Sequence, residues 1–97
     1  MKPTQKSSFG TSFYGDTITA TYKQLVKAIG EPQYAQNNGE DKSNFDWILE
    51  TEDGTVFTVY DWKEYRSIKP NETIEWHIGA NNADDSRQVF FELIEIL

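Results

Sequence analysis

The chain has 97 residues, enough for one domain with a modest core, and no cysteine, which excludes disulfides and thiolate metal sites. Its net charge of −7 and pI near 4.5 disfavour binding along a nucleic-acid backbone and suit either a basic protein surface or solubility alone. Aromatic residues make up 14% of the chain, which argues against disorder and for a core of few, large side chains.

Residues 1–10, "MKPTQKSSFG", read as a flexible tail ahead of a single domain spanning 11–97. The tail lacks the apolar run of a signal peptide, and no window approaches the ~20 apolar residues of a membrane span. A cytoplasmic location with no membrane contact is therefore expected. "TSFYGDTITA" offers two short β-prone pieces around a turn at Gly15-Asp16. A helix follows, with Thr21 as N-cap, Tyr22, Leu25, Val26 and Ile29 at helical spacing, Gly30 as C-cap and Pro32 as a stop. The polar stretch from Glu31 to Asn44 is predicted to be a mobile loop.

"FDWILETEDGTVFTVYDW" is the strongest element signal, two β-rich runs around Asp53-Gly54. If Glu52 and Thr55 close a two-residue turn, Trp47 faces Tyr60, Phe45 faces Trp62 and Leu49 faces Thr58 on one side. On the other side Ile48 faces Val59, Glu50 faces Phe57 and Asp46 faces Asp61. "TIEWHIG" supplies a third strand, with Ile74, Trp76 and Ile78 on one side and Glu75 and His77 on the other. A closing helix carries Val89, Phe90, Leu93, Ile94 and Leu97 as its apolar stripe, capped by Asn82 or Asp84. The fold class is α+β: a small antiparallel sheet in the order β-β-α-β-β-β-α, with two helices on one face.

The chemistry points away from an enzyme. His77 is the only histidine, and Glu75 on the same strand face makes the pair a possible polar site, yet one imidazole with one carboxylate is not a catalytic constellation. No nucleophile, phosphate loop or zinc-ligand cluster stands out, so no catalytic residue, metal or cofactor is assigned. Asp46 and Asp61, opposed in the expected register, could hold a cation or act as an acid/base pair. The simpler reading leaves both in water at the open end of the hairpin, with Lys42 and Lys63 near enough to neutralise them. At the start of the last helix, Asp84 and Asp85 would repel an incoming anion.

What remains is a surplus of rings. The hairpin is apolar on both faces, whereas two helices cover only one. Covering of the surplus by the N-terminal strands and the long loop, or by a second copy in a homodimer, is the structural reading. The functional reading makes Tyr60, Trp62, Lys63, Glu64, Tyr65 and Arg66, with Asp46 and Asp61, a partner- or ligand-binding surface. Within it Trp47 and Tyr60, toward the middle of the hairpin, are expected to be structural, and Trp62, Lys63 and Tyr65 functional.

Taken as a set, "TYKQLVKAIGEP", "DWILETEDGTVFTVYDWKEY" and "IEWHIG" resemble a family of small uncharacterised bacteriophage proteins, over roughly residues 10 to 80. Ala80 stands where related sequences often carry a second glycine. The resemblance implies a phage source and a site of action in the bacterial cytosol. A non-enzymatic inhibitor of a host defence system, similar to an anti-CRISPR, that docks on a basic host protein is the reading this supports. The alternative is a sponge for a signalling nucleotide, with Tyr60, Trp62, Tyr65 and Trp76 stacking on a base while Lys63, Arg66 and Lys69 neutralise phosphates.

Overall fold

The hairpin register decides which rings are core. In the computed structural model, which describes residues 1–97, strand β4 (Phe45–Glu50) and strand β5 (Val56–Tyr60) are joined by a three-residue loop, Glu52-Asp53-Gly54. Thr51 N–H donates to Thr55 O at 3.0 Å and Gly54 N–H to Thr51 O at 3.0 Å, with Gly54 at φ +85°. This is a tight turn followed by a left-handed glycine, the usual three-residue hairpin loop. Asp53 fixes it by accepting from the hydroxyls of Thr51 and Thr55. The pairs are therefore Asp46 with Tyr60, Trp47 with Val59, Ile48 with Thr58, Leu49 with Phe57 and Glu50 with Val56.

That register lies one residue from the expected one and exchanges the faces of β5. Phe57 and Val59 join Phe45, Trp47 and Leu49 in the core, while Tyr60 and Trp62 turn to the opposite side. Burying Phe57 and Val59 contributes about 1.5–3 kcal/mol each, which the slipped register would forfeit. The expected ladder of four rings is absent, and Asp46 and Asp61 do not oppose one another.

Strand β1 (Lys2–Pro3) and strand β3 (Tyr34–Ala35) share the outer edge of β4. Between them Gln33 Oε1 accepts from Ile48 N–H at 2.6 Å, so a side chain completes the ladder where no strand runs. The N-terminal segment, expected as a tail, thus pairs with the sheet, and Lys6 Nζ donates to Gly54 O at 2.8 Å.

Residues around Gly15 form one strand, β2 (Ser12–Thr21), rather than a hairpin. It pairs with β6 (Thr73–Ala80), with an irregularity between Phe13 and Thr17 where Gly15 sits at φ +98°. The bulge turns Asp16 beneath helix α2 (Ala83–Ile96), where it accepts from Ser86 Oγ at 2.8 Å and meets Arg87 at 3.1 Å. The full sheet runs β1-β4-β5-β6-β2, all antiparallel.

Helix α1 (Tyr22–Ile29) begins at the expected cap, with Thr21 and Gln24 satisfying one another's backbone N–H groups. Asn82 caps α2. Both helices pack on one face of the sheet, where Leu25, Ile29, Val89 and Leu93 meet Ile18, Trp47, Trp76 and Ile78 in a single core. The chain is thus an α+β fold, as expected. Of the predicted α2 stripe, Ile94 and Leu97 are exposed and Phe90 is half-buried. Each core tryptophan keeps its indole N–H paired, Trp47 to Gly30 O at 2.7 Å and Trp76 to Ala20 O at 2.9 Å. No helix is long and apolar enough to cross a membrane.

Candidate functional site

The helices leave the other face of the sheet open. Cross-strand pairing sets one row of side chains across it, running Tyr34, Asp46, Tyr60, His77, Thr17 from β3 to β2. A neighbouring row runs Ile48, Thr58, Gly79, Phe13. Directly opposed residues have Cβ atoms ~4.5–5.5 Å apart, so Asp46 is flanked by a tyrosine on either side. Of these rows Tyr34, Asp46, Tyr60, Ile48, Thr58 and Gly79 line a concavity of about 420 Å³, to which Ser8, Thr11, Ser12, Ser43 and Trp62 also contribute. Its floor is kept low by Gly79, where an added Cβ would collide with Thr58 Oγ1.

The rings on this face pack against one another. Tyr60 and Trp62 meet edge-on at 6.0 Å, and His77 lies 5.5 Å from Tyr60 and 6.2 Å from Trp62. Phe13 stacks on His77 at 4.0 Å. Burial holds the His77 imidazole below its ordinary pKa, partly opposed by the Glu75 carboxylate. His77 is therefore favoured as a neutral ring packed among rings, and Glu75 acts on it only through its charge.

Asp46 is half-buried and accepts one side-chain hydrogen bond, from Ser43 Oγ at 3.1 Å. Burial raises its pKa against that bond, and the carboxylates of Asp61 and Asp41 raise it further. Burial also raises the Tyr60 phenol, with Asp46 adding to it. Among the residues lining the concavity Asp46 is the only charged one.

Asp61 was expected at the surface and is instead fully buried. Its carboxylate accepts from Asn44 N–H and Phe45 N–H at 2.9 Å and from Asn44 Nδ2 at 3.0 Å. Asn44 in turn donates to Arg66 O at 2.9 Å and accepts from Gly39 N–H at 2.9 Å. Farther along, Asn37 exchanges two hydrogen bonds with the Ile68 backbone at 2.6 and 2.8 Å. Residues 36–44 and 61–68 are thereby zipped together, so the stretch read as a mobile loop has long-range partners. Gly39 lies so close to the Arg66 backbone that a Cβ would come within 2.6 Å of it. Asp61 therefore supports the site from beneath rather than touching a partner.

This zipper sets Trp62 at the rim, 39% exposed, with the Lys42 and Lys63 ammonium groups 5.8 and 5.5 Å from its ring. Lys63 and Tyr65 both adopt left-handed backbone, at φ +56° and +51°, a sparsely populated state for side chains of this size. Lys63 N–H is fixed by Lys42 O at 2.7 Å. Tyr65 is exposed, but it lies outside the concavity. Arg66 is ion-paired with Glu64 at 3.0 Å and with Glu72, which leaves it engaged within the loop. Trp76 is buried in the core and presents no face for stacking.

Tyr60, Trp62, Lys63 and Asp46 are thus brought together, while Tyr65, Arg66 and Glu64 lie on the adjoining loop. Sequence reasoning missed Tyr34, Ile48, Thr58 and Gly79. The Asp-Gly turn flanked by Thr51 and Thr55 was the signal for the right register, and that register alone would have set Asp46 and Ile48 on the same face as Tyr60 and Thr58. No group of three or more His, Asp or Glu side chains converges in a way that could hold a metal ion. Comparison with family models, curated proteins and solved structures finds no match to this chain.

Proposed function

We propose that the protein is a non-enzymatic binding protein that docks on a basic protein through the open face of its sheet. The observation that carries this reading is the ring-lined concavity on that face, with Asp46 its only charge, in a chain of net charge −7. Rings supply the buried anchors of most protein interfaces, and complementary charge speeds and orients the encounter. The resemblance to small phage proteins supports a partner in the bacterial cytosol and a role as inhibitor of a host defence system. Affinity capture from bacterial lysates with the native chain and with Trp62→Ala tests this. A basic partner retained by the native chain, released by salt and lost with the variant is expected. Capture of the same partner by both chains, or of an acidic one, would overturn the reading.

A second reading, sequestration of a nucleotide, draws on the two lysines beside Trp62. Arg66 and Trp76, both needed for it, are engaged elsewhere. Calorimetry with a panel of nucleotides separates the two, since only this reading expects binding at micromolar ligand.

A further inference from the structure

The concavity has a chemistry more specific than a docking surface requires. Its lining combines three hydroxylated or indole rings, Tyr34, Tyr60 and Trp62, with one carboxylate and no cation. Asp46 sits in register between the two tyrosines, each directly opposite it on a neighbouring strand. Ser43 is its one hydrogen-bonding side chain, which leaves acceptor capacity turned to the cavity. The electronegative faces of rings attract a cation, and a half-buried carboxylate among them adds a counter-charge that water screens poorly. Lys42 and Lys63 approach Trp62, yet neither lines the cavity, so the seat beside Tyr34 and Tyr60 is free of positive charge.

We infer that the Tyr34–Asp46–Tyr60 row, closed on one side by Trp62, is a receptor for a single cationic side chain, arginine or lysine, presented by the partner protein. This rests on the docking reading above and names what the partner inserts. Arginine is the better guest, because its planar guanidinium can stack on a tyrosine ring while donating two bonds to one carboxylate. A volume of about 420 Å³ leaves room for the guest and for part of the partner's backbone beside it. Gly79 is essential to that room, since any side chain there would rise from the floor against Thr58.

The test uses the 97-residue chain and three blocked pentapeptides that are all glycine except at the centre, where they carry arginine, lysine or the neutral isostere citrulline. Amide and side-chain NMR shifts are followed during titration. The arginine peptide should bind with a Kd on the order of millimolar, the lysine peptide more weakly and the citrulline peptide undetectably. Shifts should centre on Tyr34, Asp46, Tyr60 and Trp62. Asp46→Asn keeps the size of the side chain and the acceptor for Ser43, and should weaken arginine binding at least about tenfold while its spectrum stays folded. Equal binding of citrulline, equal binding by Asp46→Asn, shifts elsewhere or no shifts at all would each overturn the inference.

The two levels fail separately. If a basic partner is captured by the native chain and by Asp46→Asn alike but not by Trp62→Ala, the docking reading stands and the cation receptor falls. If arginine peptides bind through Asp46 but no basic partner is captured, the receptor stands and the docking reading falls.

Discussion

Trp47 and Trp62 come from the same hairpin, fifteen residues apart, and the structure buries the first and exposes the second. Trp47 is fully buried, packs edge-on against Trp76 at 5.5 Å, and donates its indole N–H to Gly30 O at 2.7 Å. Replacing it with alanine removes a core ring, at about 3–5 kcal/mol, and about 1 kcal/mol more for the lost hydrogen bond. Set against a total of ~5–15 kcal/mol, Trp47→Ala should unfold the chain or lower its Tm by about 20 °C or more. Trp62 is 39% exposed and packs against Tyr60 and His77 at 6.0 and 6.2 Å. Its truncation should cost about 1–2 kcal/mol, a Tm loss of roughly 5–15 °C with native secondary structure retained at 25 °C. Circular-dichroism melts of both variants give the comparison directly. Equal, large losses would place Trp62 in the core and refute the assignment of faces on which the site depends.

Gly39→Ala should destabilise by about 2 kcal/mol or more, because the residue sits at φ +74° and its new Cβ would meet the Arg66 backbone at 2.6 Å, and urea titration would show it. Asp61→Asn keeps the shape but turns one acceptor into a donor facing backbone N–H groups, so a loss of about 2–4 kcal/mol in the same assay is expected. Asp53 is held at a pKa of about 2 by hydrogen bonds from Thr51, Thr55 and Gln88. Because its folded pKa is depressed, its contribution is present above about pH 4 and disappears as pH falls through 2, so the drop in Tm over that window should be smaller in Asp53→Asn.

How far these features could be read from the chain depends on the range of the contacts involved. Thr21, Gly30 and Asn82 were legible because a helix cap is settled within a few residues. The hairpin was legible as an element but not in register. Asp53-Gly54 suits a two-residue loop as well as a three-residue loop with glycine left-handed, and side-chain bonds from Thr51 and Thr55 select the second. Gly15-Asp16 looked like a turn, and became a bulge because Asp16 finds Ser86 and Arg87 on a helix seventy residues away. Asn37, Gly39 and Asn44 read as loop composition, since nothing near them in sequence reveals the partners at Asp61, Arg66 and Ile68. The site was half visible for the same reason. Tyr60, Trp62 and Asp46 stood out by type, whereas Tyr34 and Gly79 belong to it only through pairing across the sheet.

The central claim is that the face opposite the helices meets the partner, and hydrogen–deuterium exchange on the free chain and on its captured complex tests it most directly. Slowed exchange at Tyr34, at Asp46–Ile48, at Thr58–Trp62 and around Gly79, with α1 and α2 unchanged, is the predicted result. Protection confined to the exposed side of α2, around Phe91 and Ile94, with the open face exchanging as it does in the free chain, would contradict it.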